Sequence, residues 1–124
     1  MSSVVVKSAD RERIARAVQD YVARLRAEHP EVRRVIWFGS WVTGRPRPGS
    51  DVDLCVIVAS SDKPRRERMV EYLPVGFPVG VDLFVYTEEE WERLKHEAPT
   101  WYAVIESGIE VWGIRQKDDE ERLC

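Results

Sequence analysis

Cysteine is scarce in this chain: two among 124 residues, Cys55 inside an apolar run and Cys124 at the last position. They can build neither a disulfide framework nor the paired spacing of a zinc site, which points to a reducing, cytoplasmic setting. Long hydrophobic runs are missing too. The opening MSSVVVKSADRE holds only three consecutive valines and no cleavage-site pattern, and no segment approaches the roughly 18 apolar residues of a membrane span. Positive charge is not in excess either, with 19 Lys and Arg against 22 Asp and Glu and a net charge of -3. Direct nucleic-acid binding is therefore not expected, although Arg33-Arg34 and Arg45 to Arg47 form small basic clusters. Internal repeats and low-complexity stretches are absent. The two histidines, His29 and His96, lack partners at triad or metal-ligand spacing and are expected at the surface, at helix ends.

What is present is ordinary for a folded protein, 44% hydrophobic and 33% charged, and the length suits one domain. Helical spacing of Ile14, Ala17, Val18, Tyr21, Val22 and Leu25 predicts a first helix, with Ser8 as its N-cap and Pro30 beyond its end. VRRVIWF, Val32 to Phe38, reads as a strand ending at a glycine. DVDLCVIVA alternates, with Val52, Leu54, Val56 and Val58 on one face and Asp51, Asp53, Cys55 and Ile57 on the other. Cys55 is expected as a small buried thiol.

A short helix with an apolar stripe of Met69, Val70 and Leu73 follows, then a strand VGVDLFVY that carries Asp82. Thr87 with Glu90 three residues later is a capping box. Pro99 separates that helix from TWYAVIES, and IEVWG is a closing short strand. The order predicts an α/β (α+β) domain around one mixed sheet, with a core over about 8–113 and a polar tail over 114–124.

The chemistry concentrates in FGSWVTGRPRPGSDVDL. Gly39 and Gly44 have P-loop spacing, but Arg45 and Pro46 stand where a lysine and hydroxyl would have to follow, so a Walker loop is excluded. A glycine and serine after a strand, with free backbone amides at a helix start, still make an anion cradle. Asp51 and Asp53, two apart on a strand and roughly 6.6 Å apart at Cα, point the same way. Magnesium takes such oxygen ligands, with water and substrate phosphates completing its shell. Asp82 interrupts another apolar strand. The plainer alternative makes Asp51 a turn residue and the other two exposed edge positions.

Gly39-Ser40, ten intervening residues, Asp51-x-Asp53 and a later Asp82 in an apolar strand resemble the DNA polymerase β-like nucleotidyltransferase superfamily. More narrowly, the short chain is similar to the minimal nucleotidyltransferases found beside HEPN-domain proteins as antitoxin and toxin. Many members carry an arginine just after the Gly-Ser pair, where this chain has Trp41, Val42 and Thr43. The resemblance implies that Gly39 and Ser40, with Arg45 and Ser50 nearby, bind ATP. It implies that Asp51, Asp53 and Asp82 hold two Mg2+ ions, with Asp82 also helping to take the acceptor's proton. It implies AMP transfer to a tyrosine of a cognate HEPN toxin, with which the chain would form a hetero-oligomer. Two other readings stay open: an antitoxin that masks its partner without catalysis, and an adenylyltransferase for small hydroxyl compounds such as aminoglycosides.

The aromatic residues Trp91, Trp101, Tyr102 and Trp112 are expected in the core, and the helix of Trp101 and Tyr102 is the place to look for a partner surface. Trp37 is expected to pack beneath the Gly-Ser turn, and Trp41, inside it, is a candidate to stack on a nucleotide base. Arg45 and Arg47 are candidates to steer a triphosphate.

Overall fold

The computed structural model describes residues 8–47 and 49–112. The expected tail 114–124 with Cys124, Gly113 at the end of the last expected strand, and the side-chain cap expected of Ser8 lie outside the described residues.

In chain order the elements are α1 (Ser8–Glu28), β1 (Val32–Phe38), α2 (Ser40–Thr43), β2 (Val52–Val58), α3 (Arg65–Tyr72), β3 (Val81–Thr87), α4 (Glu88–Glu97), α5 (Pro99–Glu106) and β4 (Ile109–Glu110). They build a mixed four-stranded sheet in the order β3-β2-β1-β4. β1 runs antiparallel to both β2 and β4, and β2 runs parallel to β3 through the crossover helix α3.

β2 is the axis of the molecule. Val52, Leu54, Val56 and Val58 enter one buried cluster with Ile14, Val18, Tyr21, Val22 and Leu25 of α1. Cys55 and Ile57 enter another with Ile36, Phe38, Tyr86, Trp91 and Ile105, beneath α4 and α5. A strand covered on both faces needs apolar residues at every covered place, which is why the polar half of its alternation is confined to Asp51 and Asp53. Burial also pushes the Cys55 thiol up to about 12, away from any reactive thiolate.

Three local expectations need correction. Of the α3 stripe only Met69 packs against the core, partly buried; Val70 is 74% and Leu73 50% exposed, and the helix docks mainly through Tyr72 and Arg68. Arg68 can be buried because Glu90 receives its guanidinium at both carboxylate oxygens, 2.6 and 2.9 Å, while Lys63 O and Val85 O accept from it too. The last strand is only Ile109–Glu110, with Val111 and Trp112 helical. Gly108 sets this close approach, since a Cβ there would lie 2.5 Å from Trp37 O. Arg34 then clamps α5 and β4 onto β1 by pairing with Glu106 and Glu110. Finally, His29 is not a bare surface residue. Its ring packs 4.7 Å from that of Tyr72, and Nδ1 lies 3.0 Å from Glu31 Oε2.

The capping box forms as expected. Thr87 Oγ1 accepts from the Glu90 amide at 3.1 Å, and Glu90 Oε1 accepts from the Thr87 amide at 3.0 Å.

Candidate active site

Register gathers the opening motif at one end of the sheet. Phe38, the last residue of β1, pairs with Asp53, and Asp53 pairs with Asp82 across the parallel ladder. Directly paired residues share a face, so Phe38, Asp53 and Asp82 form one row across three strands. Asp51 stands one residue before β2, beside Gly80, whose carbonyl accepts the Val52 amide at 2.9 Å. A Cβ on Gly80 would lie 2.5 Å from Asp51 Oδ1. Gly80 was not among the expected site residues, and its only signal in the sequence is a glycine just before a strand.

The turn after β1 closes onto this row. Gly39 adopts φ 91° and ψ -160° and caps the four-residue helix α2. Its carbonyl accepts from the Val42 and Thr43 amides, and Ser40 O accepts from Gly44 and Arg45. The amides of Ser40 and Trp41, at the start of α2, have no acceptor within their own helix. Gly39 also lies flat against Asp53, where a Cβ would sit 1.9 Å from Oδ2 and 2.9 Å from Cγ. Glycine is required there by space as well as by backbone conformation.

Trp41 is not available to a base. It is 7% exposed within the α1-side cluster, and its Nε1 donates to Ser50 O at 2.9 Å. Ser50 in turn holds the loop before the aspartates: its hydroxyl accepts from the Arg47 amide at 2.7 Å and its own amide donates to Arg47 O. Trp37 packs, partly buried, against the same cluster as Trp41. Arg45 and Arg47 are exposed, and among the described residues neither forms an ion pair.

Asp51 and Asp82 are exposed and Asp53 is half-buried, so the desolvation cost expected of all three falls on one. Burial, then Asp82 and Asp51, push the Asp53 carboxyl up to about 6. Among the described residues no cationic side chain reaches any of the three. His29, Glu31 and Glu71 do bring their ligand atoms within 4.8 Å of one another, and the three aspartates form no such tight group. That other set lies at the start of β1, roughly seven strand residues from Gly39, and is separate from this row.

Residues 18–123 match the family model described as a nucleotidyltransferase domain. The chain belongs to that family. The crystal structure of a "putative nucleotidyltransferase" from Sulfolobus solfataricus shares 22% identity over 82% of each chain, at a TM-score of 0.59, and shows likeness of fold. No curated protein matches this chain. The fold and family are those of the polymerase β-like nucleotidyltransferases. The corresponding activity is transfer of a nucleotidyl group from a nucleoside triphosphate, supported by a divalent cation. Among the described residues of this nucleotidyltransferase no helix is long and apolar enough to cross a membrane.

The donor set suits such a cation. Asp51, Asp53 and Asp82 offer only hard oxygen ligands, and magnesium keeps waters and substrate oxygens in its shell, so the carboxylates need not close into a cage.

Proposed function

We propose that this nucleotidyltransferase moves AMP from ATP to a hydroxyl group of a protein, a tyrosine of a cognate HEPN toxin, and acts as its antitoxin. The supporting observation is the packing of Gly39 against Asp53 with Asp82 in register beside it, which puts an anion-binding turn and acidic groups at one place.

The amides of Ser40 and Trp41 hold phosphate oxygens, and the exposed Arg45 and Arg47 draw the triphosphate toward the turn. Asp51, Asp53 and Asp82 would hold two magnesium ions, whose charge would stabilise the oxygens of the reacting phosphate. Asp82, exposed at the β3 edge, accepts the acceptor's proton. The bond from the acceptor oxygen to the α-phosphorus forms as the bond from that phosphorus to the bridging oxygen breaks, and pyrophosphate leaves.

The test is incubation of the purified protein with magnesium, α-labelled ATP and the HEPN-domain protein encoded beside it, followed by intact mass of both. A gain of AMP units on the partner, absent with Asp53→Asn, supports the reading. A stable complex without any gain would replace it with a masking antitoxin.

A further inference from the structure

The row that contains the aspartates continues into aromatic residues. Along the same face, Phe38, Asp53 and Asp82 are followed by Ile36, Cys55 and Phe84 in the next row. Trp101 of α5 lies diagonally across both rows, with ring centroids 5.7 Å from Phe38 and 5.2 Å from Phe84, edge-on to each. Its course crosses the β2 column where Asp53 gives way to Cys55. The indole is fixed in place by its Nε1, which donates to Tyr86 OH at 3.1 Å. Phe38 is buried, whereas Phe84 and Trp101 both keep part of their surface open.

Core packing alone does not require that arrangement. The α5 side of the sheet is already closed by Ile105, Trp91, Ile57 and Cys55, all buried. Phe84 and Trp101 are part-exposed, as is the neighbouring Tyr102, and Phe84 stands on the same strand and face as Asp82, two residues on. Gly39 and Ser40 follow Phe38 at the β1 end of the row, whereas Phe84 stands on β3 at its other end. With phosphates held at the β1 end, the acceptor enters from the β3 end, where Phe84 and the part-exposed Trp101 meet it.

We propose that Trp101 and Phe84, backed by Phe38, form a shelf that stacks a flat aromatic ring of the acceptor and so selects acceptors that carry their hydroxyl on such a ring. This deepens the transfer reading above and rests on it for the direction in which the acceptor enters. Offset or edge-to-face stacking suits three rings held at these angles.

The experiment is a titration of the 15N-labelled protein, in magnesium with α,β-methylene-ATP, which cannot be cleaved at the α-phosphate. N-acetyltyrosinamide and N-acetylserinamide are the probes, and the indole N–H signal of Trp101 is identified by its loss in Trp101→Phe. The tyrosine probe should shift that signal saturably and the serine probe should not. Trp101→Leu should weaken the tyrosine probe about three- to tenfold, Trp101→Phe should largely retain it, and affinity for the nucleotide, read at the Ser40 and Trp41 amides, should be unchanged. A merely structural Trp101 would shift both probes and the nucleotide together, which overturns the proposal. So does an indole shift with the nucleotide alone, which would make the ring a purine, or no response to the tyrosine probe. Should the Ser40 and Trp41 amides ignore the nucleotide while the tyrosine probe still moves Trp101, the shelf stands and the transfer reading falls.

Discussion

Gly39→Ala perturbs the site at the point where backbone and carboxylate touch. At φ 91° and ψ -160° the residue occupies a region essentially reserved for glycine, so the backbone strain alone costs about 1–3 kcal/mol. For a domain of this size each kcal/mol lowers Tm by about 3–5 °C, so the melting point should fall by roughly 3–15 °C. The new methyl carbon also meets Asp53 Oδ2 at 1.9 Å and Cγ at 2.9 Å, so the carboxylate must rotate out of the row it shares with Asp82. Displacing a reacting group by an ångström can remove about 100-fold of rate, and transfer should fall by at least that. The steric part is separable from the strain with Asp53→Ala, which empties the space the methyl needs. Across wild type, both single variants and the double variant, thermal melts should show the double about 0.5–3 kcal/mol more stable than additivity allows. Gly44→Ala is the control, because Gly44 has φ 87° but open space around it; it should lose about 1–2 kcal/mol and show no coupling to Asp53. Additive melts, or a Gly39→Ala protein with full activity, would refute the contact.

Asp53→Asn should melt higher than wild type at pH 7.5, with the gap closing by pH 4. The folded carboxyl titrates at about 6, above its unfolded value near 4, so its favourable contribution is complete below that value and is lost as pH rises through 6. A gap that persists in acid would show that the asparagine acts through packing. Arg68→Met should cost about 3 kcal/mol at neutral pH by stranding Glu90. The hydrogen bonds of Arg68 hold the Glu90 carboxyl down at about 2 against 4.5, so wild type should lose this advantage as pH falls from about 4.5 toward 2, and an acid titration of both proteins should bring their stabilities together. Trp41→Phe removes the bond to Ser50 O and should cost about 1 kcal/mol; hydrogen exchange at the Ser50 amide should quicken, and unchanged exchange would mean the indole does not hold that loop.

Where a feature depends on near neighbours, the sequence was readable. The capping box is written in Thr87 and Glu90, and strict alternation in DVDLCVIV separates the two faces that the clusters later cover. The closeness of Gly39 to Asp53 and the pairing of Asp53 with Asp82 depend on strand partners and register, which are long-range choices. A single chain offers the strands but not their order. Trp41 misled for the same reason: a tryptophan in a turn reads as exposed until Ser50, nine residues on, is found accepting from it. On α3 apolarity misled, because burial of Arg68 depends on Glu90, 22 residues away and beyond β3. The set of His29, Glu31 and Glu71 likewise forms only when α3 is laid across the start of β1.

The direction of one connection decides whether the acidic groups meet. β2 is apolar and covered on both faces from Leu54 onward, so its open end is the N-terminal one, where Asp51 and Asp53 stand. Antiparallel β1 delivers its C-terminal end there, bringing Gly39 and Ser40. A hairpin from β2 to β3 would start β3 at the far end and carry Asp82 there. The parallel crossover through α3 starts β3 level with β2 instead, giving the pairs Val52 with Val81 and Asp53 with Asp82. Arg68 fastens that crossover, reaching Val85 O in β3 and Glu90 in α4 from the middle of α3. A buried cation outside the row of aspartates is thereby part of what holds them in register, and Arg68→Met should reduce transfer beyond its loss of folded protein, measured as turnover per folded molecule at a temperature where both proteins are fully native.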